Sequence, residues 1–369
     1  MKITPILYRK LVNAISYTSF NGDLFLMFQK DRLLMKAKKN DNYFLSVHND
    51  KNNSLGVIKV DCEKLYSILK QYRGGFFDID KTNKKIIFSK NENNSSLQYA
   101  DGYLSLPSVK QKSDLTISFE SLSNALSEIL LVDKSIDLLD EQIGFDIVVN
   151  EDKNTLSFST FGRDKAIMYV INTECKTDNA ISISPNKSLF KLIINNKNYI
   201  NEMNVNLIFN EEYLIININD DYYYINIIPC NKTSFKIANQ VINKYNNNKI
   251  VISLNDLNKC IKKIKEISKE NKIKKNECYL RFKLRNGYIR CDICGKLNEI
   301  IGKISVYSAF FEINKELAWT YNYAILESFL PFLGEDINMF LNNTAEPLVI
   351  YNFIDENSKS YFILMPIYN

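Results

Sequence analysis

The chain has 369 residues, more than the roughly 250–300 that one hydrophobic core accommodates, so two or three domains are expected. Hydrophobic residues at 46% and charged residues at 24% match the globular average, which excludes a disordered or fibrous chain. The net charge of +5 is too small to announce a nucleic-acid or membrane partner by itself, and a single histidine, His48, disfavours His-based catalysis or metal binding.

Seven scattered cysteines fit reduced thiols, and the start carries Lys2, Arg9 and Lys10, unlike a signal peptide or anchor. No run approaches 18 uncharged apolar residues, so a soluble cytoplasmic protein is expected. Along the chain, Ile3 precedes a helix with Leu11, Ala14 and Ile15 on one face, followed by strand runs at 24–28 and 33–37. A helix over 62–72 groups Leu65, Ile68, Leu69 and Tyr72, and Gly74-Gly75 ends it. Strand runs follow at 76–79 and 86–88 around a turn at 80–83. Ile117 leads into a helix over 119–130, then strands at 156–158 and 166–171. Pro185 opens a helix over 186–194 carrying Leu189, Leu192 and Ile193. Strands at 205–209, 213–218 and 222–227 precede Val251-Ile252 and a helix over 254–267. Strands at 279–284 and 301–306 and a helix over 322–332 complete the pattern.

The run SFESLSNALSEI from Ser118 aligns without a gap on SLNDLNKCIKKI from Ser253. Each serine stands where a hydroxyl caps the helix that follows. The chain therefore reads as an α+β protein of six strand–helix–strands repeats, two in each of three similar domains, 1–110, 111–246 and 247–369.

Chemistry-bearing clusters are sparse. Cys291-Asp-Ile-Cys294 is the only CxxC, with Cys278 the nearest further thiol, and a zinc site needs four ligands. Two ordinary strand cysteines are the simpler reading, and no metal or cofactor is expected. Asp137, Asp140 and Glu141, and Asp220-Asp221, read as solvated loops. There is no G-x-S-x-G elbow and no phosphate-binding glycine loop. Basic residues instead stand opposite the apolar helix faces: Arg9 with Lys10, Lys70 with Arg73, Lys187 with Lys191, and Lys259 with Lys262 and Lys263. Helices 119–130 and 322–332 lack such a face.

Six half-domain repeats with basic helix faces resemble the bacterial beta sliding clamp family, the processivity subunit of DNA polymerase III. The resemblance is carried in order by Tyr99-Ala-Asp-Gly-Tyr-Leu-Ser-Leu-Pro107, by Ile143–Asn150 through Thr160-Phe-Gly-Arg-Asp-Lys-Ala166, and by Glu346-Pro-Leu-Val-Ile350 with Tyr361-Phe-Ile-Leu-Met-Pro-Ile367. It implies a non-catalytic homodimer, two subunits head to tail in a ring around sequence-independent duplex DNA. It also implies a pocket for short linear peptides of DNA polymerase, clamp loader and repair proteins. The matching pocket positions are Thr160, Gly162, Val241, Ile363, Leu364, Met365, Pro366 and Ile367. Phe161, Arg163, Asp164, Lys165, Lys236 and Gln240 depart from the family's usual residues there. For ring closure, the resemblance puts Tyr103, Leu104 and Leu106 of one subunit against Ile264 and Ile267 of the other. On the residues alone, a repeat-built scaffold that never encircles DNA and a metal-dependent enzyme stay open.

Overall fold

The computed structural model describes residues 1–50, 56–108, 113–133, 145–149, 154–162, 165–174, 180–183, 187–196, 203–228, 233–244, 249–274, 279–285, 288–294, 300–307, 317–340 and 347–366. The helices among them are α1 (Pro5–Tyr17), α2 (Cys62–Gln71), α3 (Phe119–Asp133), α4 (Lys187–Ile194), α5 (Thr233–Lys244), α6 (Leu254–Glu270) and α7 (Tyr323–Phe329). Early strands are β1 (Asp23–Phe28), β2 (Arg32–Lys39), β3 (Asn42–Asn49), β4 (Gly56–Asp61), β5 (Phe76–Asp80), β6 (Lys85–Lys90), β7 (Asn93–Gln98), β8 (Ala100–Asp101) and β9 (Leu115–Ser118). Then come β10 (Phe145–Val149), β11 (Thr155–Phe161), β12 (Lys165–Asn172), β13 (Ala180–Ile183), β14 (Asn204–Phe209), β15 (Tyr213–Ile218) and β16 (Asp221–Ile228). The last are β17 (Lys249–Ser253), β18 (Tyr279–Arg285), β19 (Tyr288–Cys294), β20 (Ile300–Tyr307), β21 (Leu317–Asn322), β22 (Asp336–Phe340), β23 (Leu348–Asp355) and β24 (Ser358–Leu364). The predicted cuts near 110 and 247 lie outside the described residues.

The chain separates into two compact units, and the division falls inside α3. Unit 1 holds Met1–Asn124 and Asn186–Ile228. Its main sheet runs β8-β4-β1-β2-β3-β16-β15-β14-β9, antiparallel throughout. The join is β3 to β16, where Tyr43 pairs with Tyr224 and Ser46 with Asp221. A smaller sheet, β5-β6-β7, completes the unit. Unit 2 holds Ala125–Pro185 and Pro229–Asn369. Its main sheet runs β17-β22-β23-β24-β12-β11-β10-β13, and β12 joins β24 over Lys165–Ile171. Its second sheet is β20-β19-β18-β21. Each unit thus sews a late segment of the chain to an early one by antiparallel ladders, β3–β16 and β9–β14 in unit 1 and β12–β24 in unit 2, whose backbone groups are satisfied by that long-range pairing.

The helices begin where local chemistry says they should. Thr4 accepts from the Leu7 N–H at 3.1 Å ahead of Pro5, and Asp61 accepts from Lys64 at 2.9 Å. Ser118 and Ser253, the two aligned serines, accept from Ser121 at 3.0 Å and Asp256 at 3.1 Å. Gly74 has φ +82°, the left-handed region that a side chain resists, and so closes α2. α1 buries Leu7, Leu11, Ala14 and Ile15, and α6 buries Leu257, Cys260, Ile261, Ile264 and Ile267. Burying such a side chain contributes roughly 1.5–3 kcal/mol. The expected helix over 322–332 is shorter: α7 ends at Phe329 and a 3-10 turn, Leu330–Phe332, carries Pro331. Proline lacks the N–H that an α-helix would need there.

Candidate nucleic-acid interface and partner groove

In unit 1, α1 packs beside both α2 and α4, so their basic residues come from neighbouring helices. Arg9, Lys70, Arg73 and Lys191 are exposed. Two of them are held by aromatic faces: the Lys70 amine lies 4.2 Å from the Tyr66 ring centre, and the Arg73 guanidinium lies 5.3 Å from that of Tyr8. Lys10 differs. Its amine donates to the Val47 carbonyl and pairs with Asp220 at 3.1 Å, which ties α1 to the β3–β16 join. The Lys187 side chain lies outside the described residues. His48 is half-buried on β3, and burial together with the Lys10 charge holds its pKa below the usual value.

In unit 2, α6 presents Lys259, Lys262 and Lys263 outward. Lys259 pairs with Asp256 at 3.0 Å and Lys263 with Glu266 at 3.4 Å. Hydrogen bonds from Lys259 and Ser253 hold the Asp256 carboxyl below its usual pKa. Exposed i,i+3 pairs of this kind are worth at most about 1 kcal/mol, so the lysines exchange readily between these acids and any passing phosphate. Lys265 turns aside to Glu327 on α7.

The sheet of unit 2 has two unlike faces. Leu364, Phe362 and Ile167 point to the helix side and join the core of α6 and α7. Thr160 stands opposite Ile167, so strand alternation puts it on that side as well. The other face carries Ala166, Met168, Val170, Val349 and Ile363, with α5 laid over it through Phe235, Ala238, Val241 and Ile242. Met365 packs on this second cluster, and Pro366 follows half-buried. Of the pocket residues read from the sequence, the structure therefore gathers Val241, Ile363 and Met365, while Thr160 and Leu364 belong to the opposite face. Gly162 shapes the turn between β11 and β12, its N–H donating to the Lys165 carbonyl at 2.8 Å. Ile367, Arg163 and Asp164 lie outside the described residues. Sequence reasoning missed α5 as a helix, and with it Phe235, Ala238 and Ile242. The signal was present as apolar residues at 235, 238, 241 and 242, one helical face in an otherwise polar run. It also missed Phe340 and Tyr361 as groove-side residues, whereas Phe161, named from the sequence as a departure at the pocket, does pack on this face.

Of the closure residues, Tyr103 is 65% exposed with the Lys36 amine 5.0 Å from its ring centre. The Leu104 carbonyl accepts from Lys36 at 3.3 Å, and Leu106 packs onto a tyrosine cluster of unit 1. Ile264 and Ile267 are buried in this chain's own core, so a partner would reach α6 through its outer side chains instead. A Cβ on Gly302 would run into the Ile267 side chain, so β20 lies close against that residue.

For the metal-enzyme alternative, Cys294 is a buried thiol, the Cys291 side chain lies outside the described residues, and so do Cys278, Asp137, Asp140 and Glu141. Asp220 is engaged by Lys10, and Asp221 is buried. Among the described residues no group of three His, Cys, Asp or Glu side chains could hold a metal ion, and no helix is long and apolar enough to cross a membrane.

No protein-family model and no curated protein matches the chain. Solved structures do match, along essentially its whole length. A DNA polymerase III beta subunit of Streptococcus pyogenes shares 11% identity at a TM-score of 0.81, covering 100% of this chain and 99% of that one. A putative DNA polymerase III beta subunit of Eubacterium rectale shares 13% identity at 0.80, covering 98% of each. The H. pylori beta clamp, solved in complex with diflunisal, shares 16% at 0.78 with full coverage of both chains. The α+β fold of this chain is the DNA clamp fold.

Proposed function

We propose that the chain is a DNA sliding clamp: two subunits joined head to tail in a ring that encloses duplex DNA and tethers a replicative polymerase without catalysing a reaction. The observation that carries this reading is the end-to-end likeness of fold to DNA polymerase III beta subunits at TM-scores of 0.78 to 0.81. In this reading the three domains are 1–110, 111–246 and 247–369, and their helices face the DNA.

The exposed cations then have a task that their weak fixation suits. Arg9, Lys70, Arg73 and Lys191 in unit 1, and Lys259, Lys262 and Lys263 in unit 2, meet phosphates and no base edges. Each contact displaces condensed counterions yet is individually labile, so the ring is held electrostatically without being held at any one position. A tether that must slide gains nothing from bidentate base contacts, which would stall it at particular sequences. Lys10 has a structural part, anchoring α1. The groove lined by Val241, Ile363 and Met365 receives short peptides from the polymerase, the clamp loader and repair proteins, its flexible Met adapting to different anchors. Tyr103, exposed beside Lys36, contributes to subunit closure. In this reading the protein works in the cytoplasm.

Sedimentation equilibrium tests the assembly. A species at twice 42.9 kDa, seen as a closed ring by negative-stain imaging, is expected. A monomer at all micromolar concentrations would contradict it and favour a scaffold that never encloses DNA.

A further inference from the structure

The outer face of the unit 2 sheet extends past the helix that covers it. α5 lies over β10, β11 and β12. Beyond it, β23 and β24 present alternate residues on the same face: Val349, Tyr351 and Phe353 stand opposite Ile363, Tyr361 and Lys359. The Tyr351 and Tyr361 rings are 5.4 Å apart, centre to centre. Both are half-buried, as is Lys359, and Phe353 is 60% exposed. Burial and the neighbouring Tyr351 raise the Tyr361 phenol above its ordinary pKa. This strip is continuous with the groove, because Tyr361, Phe340, Met365 and Val241 pack on one apolar cluster.

Charge along the strip is mostly of one sign. Lys236 and Lys244 are exposed on α5, which carries no acidic residue, and Lys359 stands at the far end. Of the neighbouring acids, Asp336 stands exposed on the same face at the near end of β22, two residues before the Asn338 that pairs with Tyr351, while Asp355 and Glu356 lie in the exposed turn beyond Lys359, where Asp355 accepts from the Asn357 N–H at 2.7 Å. β24 is paired on both sides, by β23 and by β12, so a bound chain could not add to it as a strand. Recognition here must run through side chains.

We propose that Tyr351, Phe353, Tyr361 and Lys359 extend the partner groove and select peptides that carry an aromatic side chain beside an acidic one. The peptide ring stacks on the tyrosine pair against Phe353, and its carboxylate meets the Lys359 ammonium. An offset aromatic contact adds to area burial only when the incoming group is itself aromatic, so an aliphatic anchor would leave the strip partly wet. A half-buried ammonium is screened less than a fully exposed one, which favours a carboxylate over an amide at that position. The proposal rests on the reading of the Val241–Ile363–Met365 groove as a peptide site.

The test is selection of phage-displayed random dodecapeptides on the immobilised full-length protein, followed by fluorescence polarisation of the strongest clones as labelled synthetic peptides. Enrichment of an aromatic residue within two positions of Asp or Glu is expected. Phe353→Ala, which alters an exposed side chain and leaves the fold alone, and Tyr361→Ser should each weaken those peptides about five- to tenfold. Lys359→Glu should weaken them by a similar factor and shift the selected sequences from acidic to basic. Peptides that are lost with Met365→Ala yet bind all three strip variants unchanged would overturn the strip while leaving the groove. Recovery of no peptide sensitive to Met365→Ala would overturn both.

Discussion

The two units use one device and finish it differently. Unit 1 joins early and late chain through β3 and β16, and unit 2 does so through β12 and β24. At the first join the outer face is closed by the chain itself. Tyr43, Tyr213 and Tyr224 pack edge to face at 5.8 to 6.5 Å, and Leu106 packs against them from the segment that follows β8. At the second join the covering element is α5, which packs with Val349 and Ile363 but leaves Tyr351 and Tyr361 half-buried and Phe353 exposed. A ladder of backbone hydrogen bonds is indifferent to sequence, so the same join can be sealed for stability or left accessible for a partner by changing only the side chains of one face.

The largest expected effect separates the helix sides of the two joins. Glu128 of α3 is buried in unit 2, its carboxylate accepting from the Ser360 hydroxyl of β24 at 3.2 Å, and desolvation pushes its pKa from 4.5 up to about 8. Lys165, also buried on β12, donates to the Leu131 carbonyl one turn further along α3. The raised pKa means that the folded state holds a proton the unfolded chain releases. The associated stability is fully present below about pH 4.5 and is lost as pH rises through about 8. Glu128→Gln should leave urea stability near pH 4.5 almost unchanged and raise it at pH 8 by about 4 kcal/mol, at ~1.4 kcal/mol per pKa unit. In unit 1 the buried group at the end of α1 is Tyr17, whose phenol burial keeps neutral well above its usual pKa. Tyr17→Phe should therefore show no slope between pH 5 and 8; a slope equal to that of Glu128 would erase the contrast.

Next in size is the closed face itself. Leu106→Ala should cost about 2 kcal/mol in denaturant melts, because it opens a cavity over the tyrosine cluster. Met365→Ala, on the accessible face, should cost under ~1 kcal/mol and act on peptide binding instead. Equal destabilisation by the two would mean that the faces are not used differently.

The charged helix faces come third. Lys259, Lys262 and Lys263 replaced together by Glu should weaken DNA association about tenfold or more at low salt and flatten its salt dependence. No change in filter binding would return these lysines to an ordinary solvated surface. The smallest effect belongs to Asp256→Asn, which frees Lys259 from its local partner. It should tighten DNA binding by at most about twofold, as expected of an exposed pair, with Ser253 still capping α6.

Much of this architecture was legible in local pattern, and the part that was not has a common cause. The faces of α1, α3 and α6 and the caps Ser118 and Ser253 depend only on nearest-turn chemistry, and they stand where the spacing predicts. α5 went unread because its five apolar residues are diluted by Asn, Gln and Lys, and its burial comes from a sheet assembled by distant segments. The β12–β24 ladder pairs Lys165 with Leu364, a separation that no periodicity reports. The same ladder sorts the C-terminal run: Ile363 faces the groove and Leu364 the core, which a continuous apolar motif conceals until the register is known. Lys10 and Lys259 looked alike as basic helix residues, yet one is fixed by Asp220 and the other pairs loosely with its own helix.

The central claim is topological, and retention on DNA of different topology tests it most directly. Protein loaded on a nicked circular plasmid should survive a high-salt wash, which screens every phosphate contact, and should leave once a restriction enzyme linearises the circle. Equal retention on the circular and linear forms, or loss from both in high salt, would contradict an enclosing ring.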